Sequence, residues 1–305
     1  MYRTGCNFVF LDHRPKEIVE EKLRFYKEIF PDRKFGLIYN LPIDLQLSSD
    51  LQDITVTRLP SGSPLRGYTA ASLWAVEQFP VLAASPDFRG RPTTAIECDL
   101  EISRADYEAR VFSVLSAPSS LEYGASCWTA VPPVPQLFHG GDLHLFRLFG
   151  KAFGVSYPKV ASTLGSFVLT TKGADAILSV LSRPAVRAYH NYLVDVVKLV
   201  ESGRRRIIYA SHYFTDYAFP LALQISGLGF AECVNRVNPK VPTDTHQSGA
   251  AQTNTPLSRE EFEWMSEDER YYVIHHLATD KDRFPGASEC TKILRQKLRE
   301  RTRNA

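Results

Sequence analysis

No charge of either sign dominates this chain. Lys and Arg number 36 against 34 Asp and Glu, a formal net charge of +2. That removes the broad basic footprint of a nucleic-acid binder. Cysteine is scarce: Cys6, Cys98, Cys127, Cys233 and Cys290 are widely spaced and form no CxxC. An odd, scattered set argues against a disulfide framework and against a cysteine-built zinc site. No apolar run approaches the roughly 18 residues that cross a bilayer. The N-terminal run NFVFL is broken by Asp12 and His13, too short for a signal peptide. These absences predict a cytoplasmic, reducing location. Also missing are GxGxxG, the GxxxxGKS or GxxxxGKT phosphate loop, and the GxSxG elbow. Dinucleotide, P-loop and serine-hydrolase readings therefore have no motif behind them.

What is present is regular strand–helix alternation over 305 residues, 44% of them hydrophobic. That length suits one large α/β domain or two small ones. Asn7–Leu11 reads as a strand, and Pro15 opens a helix with a Val19, Leu23, Tyr26, Phe30 face. Phe35–Tyr39 and Ile54–Leu59 read as further strands, followed by a helix near Thr69–Phe79. The alternation implies a mainly parallel sheet with right-handed crossovers. The second half is less regular. Ala125–Val131, Ser166–Thr170, Ile207–Tyr209 and Tyr271–Leu277 read as strands. Lys172–Ser182, Val186–Glu201 and Cys290–Arg303 read as helices, with an apolar helix after Asp216. Asn235–Pro256 is polar and aperiodic, which reads as a mobile loop or lid.

The stretch Thr93–Ala117 organises the functional reading. Thr94–Leu100 reads as a strand, and Ser103 with Asp106 as a capping-box-like helix start. Alternation puts Glu97, Asp99 and Glu101 on one side of the strand, neighbours about 7 Å apart. Three carboxylates on one buried face need a compensating cation. The carboxyl end of a strand, where open α/β sheets keep their ligand crevice, provides room for one. A divalent cation that also holds phosphate oxygens suits such a cluster. An acidic, solvent-facing edge strand fits the same letters.

Other polar groups fall at element ends. Asp12, His13 and Arg14 end the first strand, where a base or ribose lies in a doubly wound sheet. Arg66 stands where a guanidinium clamps a phosphate or carboxylate, or simply starts a helix in solvent. Asp216 follows two aromatics at an expected helix N-terminus, where the dipole keeps a carboxylate ionised for a base or a cap. His275 and His276 end a strand and point to opposite faces, so one can reach a metal while the other packs.

In this order the motifs resemble the GT-A class of glycosyltransferases. Glu97-Cys98-Asp99 stands where such enzymes carry a DxD-type motif, with Asp99-Leu100-Glu101 as a second register. Leu164–Thr170 resembles the segment beside the donor sugar, Thr215–Ile225 the acceptor helix, and Ile274-His275-His276 the closing strand. The resemblance departs at Glu97, which replaces the first Asp. It implies a GT-A-like, Rossmann-type single compact domain: a mostly parallel central sheet flanked by helices. Residues 1–117 would be the nucleotide-sugar-binding half and 118–305 the acceptor half. It further implies Mn²⁺ or Mg²⁺ held by Asp99, Glu101, His275 or His276, with Glu97 beside them. Asp12, His13, Arg14 and Arg66 would meet the nucleotide, and Asp216 would be the base of an inverting transfer. The partners would be a nucleotide-sugar donor and a glycan or glycolipid acceptor, as in bacterial polysaccharide biosynthesis. Nucleic acid has no place in this scheme, whereas peripheral association with a membrane does. Two other readings fit the same sheet: a non-catalytic binding protein in glycan assembly, and a sugar-phosphate nucleotidyltransferase.

Overall fold

The computed structural model describes residues 5–39, 41, 45–59, 68–98, 100–115, 123–127, 130–131, 148–155, 161–162, 167–201, 210–232, 263, 267, 272–275 and 287–303. Asn7–Asp12 forms β1, Phe35–Tyr39 β2, Thr55–Arg58 β3 and Thr93–Glu97 β4. Between them run α1 (Lys16–Ile29) and α2 (Tyr68–Ala84). β1 pairs in parallel with both β2 and β4, and β2 with β3. The parallel sheet expected for the first 100 residues is therefore present.

The same sheet continues into the second half. Tyr123–Cys127 is β6, Val168–Leu169 β9 and Gly229–Glu232 β10. The strand order is β10-β6-β9-β4-β1-β2-β3. β9 runs antiparallel to both β4 and β6, while β10 is parallel to β6. Leu100–Ile102 (β5) pairs antiparallel with Val273–His275 (β11) in a small second sheet. Ala130–Val131 (β7) and Ala161–Ser162 (β8) pair as a third. The strand expected over Ala125–Val131 is thus split between two sheets.

Alternation along β1 explains the two layers. Phe8 and Phe10 join α1's Val19, Leu23 and Tyr26 in one core. Val9 and Leu11 join α2's Trp74, Phe79 and Leu82 in the other. Each fully buried Phe contributes about 1.5–3 kcal/mol of transfer free energy. The second core also takes in Thr171–Leu181 (α4), Pro184–Glu201 (α5) and Ala210–Ile225 (α6). Tyr107–Leu115 is α3 and Ala287–Arg303 is α7. Leu298 of α7 packs into the α1 core.

Thr170 anchors α4. Its hydroxyl accepts from Gly173 N at 2.9 Å, an N-cap bond, and donates to Gly124 O at 2.9 Å. The approach is so close that a Cβ on Gly173 would lie 1.8 Å from Gly124 O. Gly173→Ala should therefore lower stability by about 3 kcal/mol through overpacking against backbone. A denaturant midpoint measures it, and an unshifted midpoint would mean the helix slides freely on the sheet.

Two expectations need correction. The acidic strand is not continuous: β4 ends at Glu97, and β5 belongs to another sheet. Glu97 and Glu101 consequently share no sheet face. Nor does Ser103 start a helix, since α3 begins at Tyr107. The Ser103 amide instead donates to Tyr272 O at 2.9 Å, continuing the β5–β11 ladder and keeping the backbone extended there. Asn235–Pro256 and Ile207–Tyr209 lie outside the described residues.

Candidate functional site

The chain runs from β1 outward through β2 to β3, then returns across β1 to lay β4 on its other side. That reversal is a topological switch point between β1 and β4, the place where open α/β sheets bind ligands beyond their carboxyl ends. The register brings Leu11 level with Glu97, Asp12 level with Tyr39, and Tyr39 level with Arg58. The ends of four adjacent parallel strands therefore gather Asp12, Tyr39, Arg58 and Glu97.

Asp12 is 1% exposed and spent on its own turn. Its Oδ1 accepts from His13 N at 2.8 Å, Arg14 N at 2.9 Å and Arg14 Nε at 2.9 Å. Arg14 also reaches Oδ2. Burial works to raise the Asp12 pKa, but the hydrogen bonds and charge of Arg14, with Lys22 behind, hold it below its ordinary value. Tyr39 Oη donates to Arg14 O at 3.0 Å and fixes the other side of the turn. His13 and Arg14 are half-buried at the rim, so Asp12 shapes the loop and they present it.

Behind the end of β4 lies Lys22, 1% exposed. Its Nζ donates to Leu100 O at 2.7 Å, Glu97 O at 2.9 Å and Cys98 O at 3.3 Å. One helix turn on, Tyr26 Oη donates to Glu101 Oε2 at 2.9 Å and accepts from Ile102 N at 2.8 Å. Arg295 of α7 donates to Glu101 Oε1 at 2.8 Å and to Glu21 at 3.0 Å. Lys22 Nζ lies 3.6 Å from Glu101. Burial would raise the Glu101 pKa, yet the charges of Lys22 and Arg295, with bonds from Arg295 and Tyr26, bring it to about 2. Glu101 is thus neutralised by protein cations. The compensation that its buried position demanded comes from Lys22 and Arg295, which removes it from the metal-ligand set.

Among the described residues, no three His, Cys, Asp or Glu side chains gather as a metal site. With Asp12 and Glu101 committed, the described carboxylates at the switch point do not by themselves fit a divalent cation. Asp99, Arg66 and His276 lie outside the described residues. His275 is placed on β11, level with Leu100 of β5. The fold thus brings a segment 175 positions away beside the acidic turn. Asp216 lies inside α6, six residues after its start at Ala210, which corrects the expected helix N-terminus. Pro220 in the same helix has no N–H, so the Asp216 carbonyl lacks its usual i+4 donor.

Three contributors escaped the sequence reading: Lys22, Arg58 and Arg295. Lys22 had a signal, falling three residues after Val19 and four before Tyr26 on the buried stripe of α1. Arg295 similarly follows Leu294 and precedes Leu298 on the buried stripe of α7. Arg58 is visible only once β3 is registered against Tyr39. No helix among the described residues is long and apolar enough to cross a membrane.

No family model matches this sequence, and no curated protein does. Among solved structures it is similar to the galactosyltransferase LgtC in complex with donor and acceptor sugar analogues. The identity is 10% and the TM-score 0.41, over 94% of this chain and 95% of that one. An active-site mutant of LgtC matches at 10% identity and a TM-score of 0.41, over 94% of each chain. At that identity and TM-score the likeness assigns neither activity nor substrate, which rest on this chain's own residues.

Proposed function

We propose that the chain is a GT-A-type glycosyltransferase, moving a sugar from a nucleotide-sugar donor to a hydroxyl acceptor. The observation that carries this reading is the switch point itself. Two polar segments, Asp12–Arg14 and the turn after Glu97, flank the carboxyl ends of β1 and β4. Behind them, Arg14 pairs with Asp12, and Lys22 and Arg295 pair with Glu101, Arg295 also reaching Glu21. In this reading the crevice beyond the carboxyl ends of these parallel strands, where open α/β sheets bind ligands, takes the donor and its diphosphate.

In this scheme His13 and Arg14 meet the nucleotide, with Asp12 holding their loop from behind. Arg66 contributes to the diphosphate side. Asp99, His275 and His276 are the candidates for a Mn²⁺ or Mg²⁺ ion, which when bound would neutralise the leaving diphosphate. Glu97 lines the donor side. Asp216 takes the proton of the acceptor hydroxyl as it attacks in line, giving inversion. The hydroxyl belongs to a glycan or glycolipid.

The test is release of nucleoside diphosphate from a panel of nucleotide sugars, with simple saccharides as acceptors. One donor should be consumed with matching formation of glycoside, of inverted anomeric configuration. If no member of the panel binds or turns over, the reading fails. A retained configuration would remove Asp216 as base while leaving transfer intact.

A further inference from the structure

Resting on the reading of the β1–β4 switch point as the donor site, we propose that Lys22 is the positioning residue for the turn between β4 and β5. An ammonium has three N–H donors and no acceptor. Here Leu100 O, Glu97 O and Cys98 O accept from it, and the group is sealed from water. This is a point donor surrounded by backbone, a geometry that the planar fork of arginine cannot reproduce.

Lys22 and Tyr26 stand four residues apart on α1, hence one above the other on the same face. Between them they make five hydrogen bonds to the segment 97–102. Glu101 supplies the counter-charge and is gripped in turn by Arg295 from the last helix. The turn is therefore held by side chains from outside it.

The chemistry of the site gives this clamp a purpose. The carbonyl oxygens of Glu97, Cys98 and Leu100 are aimed at the buried ammonium of Lys22. Their negative ends are then withheld from an incoming diphosphate, and the Glu97-Cys98 backbone is held in place. Without the clamp the turn could rotate these carbonyls toward the ligand.

The experiment compares the native protein with Lys22→Met and Lys22→Arg, using two readouts. The first is independent of activity: iodoacetamide labelling rates of individual cysteines, read by peptide mass spectrometry. Cys98 lies on the clamped turn, whereas Cys6 and Cys290 are buried elsewhere. Loss of the carbonyl bonds should raise Cys98 labelling about tenfold or more, with Cys6 and Cys290 unchanged. The second is the split between KM and kcat for whichever nucleotide sugar the panel identifies. Donor KM should rise about tenfold while kcat moves less.

Lys22→Arg keeps the charge and tests the clamp should Lys22→Met fail to fold; it should show the same selective change in weaker form. Parallel rises at all three cysteines, or an unchanged Cys98, would overturn the proposal by making Lys22 a general stability element. Selective labelling with an unchanged donor KM would overturn it too, since the turn would then move without consequence. If the native protein binds no nucleotide sugar, the donor-site reading fails, and the labelling alone decides whether Lys22 holds the turn.

Discussion

Asp216→Asn should reduce turnover about 100- to 10,000-fold while leaving donor affinity nearly native, because a general base acts mainly in the transition state. The position of Asp216 sharpens the test. Inside α6, it cannot be excused as a helix cap. A helix-interior Asp→Asn change alters propensity by only a few tenths of a kcal/mol, so a large fall in kcat would report chemistry. Steady-state kinetics with saturating donor and varied acceptor measure it. Full activity in Asp216→Asn would transfer the role of base to another carboxylate.

Glu101→Gln has the largest expected effect on stability, about 3–5 kcal/mol, because it leaves Lys22 and Arg295 buried without their shared counter-charge. The same cations set how the carboxyl titrates. Against the effect of burial, the charges of Lys22 and Arg295 hold the folded-state carboxyl at about 2, below its ordinary 4.5, so its ionisation favours the folded state. The sign follows from linkage. A depressed folded-state pKa contributes stability above the unfolded value, and that contribution is lost as pH falls toward about 2. Native protein should lose stability steeply between about pH 5 and pH 2. Glu101→Gln should start lower at neutral pH and show a shallower acid limb. Chemical denaturation at several pH values tests both features, and identical acid limbs would place the acid sensitivity elsewhere.

The same carboxylate shows how far the sequence could be followed. Period-two runs such as NFVFL and FGLIY, separated by a 3.6-period helix, marked the parallel sheet and the crevice at its carboxyl end. These patterns are local and strong, and β1, β2 and β4 follow them. What failed was the alternation Glu97, Asp99, Glu101. A period of two continues on paper across Cys98, but the chain changes sheets there. The change depends on Lys22, 75 positions upstream, and on β11, far downstream. No window around residue 98 contains either.

The need for a cation behind those acids was legible from desolvation alone. Its identity was not, since a lysine inside an amphipathic helix ordinarily snorkels to solvent. Ser103 failed for a related reason. Its letters suit a cap, but the amide was already claimed by Tyr272 in the β5–β11 ladder. The arrival of His275 beside Leu100 was anticipated only in order along the chain, and long-range pairing supplied the proximity.

The claim at the centre of this account is that a nucleotide sugar binds at the switch point between β1 and β4. Hydrogen–deuterium exchange with and without the nucleotide sugar that the panel selects addresses it directly. Bound donor should slow exchange in peptides covering residues 10–16 and 94–102. The outer faces of α5 and α7 should exchange at unchanged rates. Protection centred away from those two segments, with neither of them affected, would contradict the assignment of the crevice.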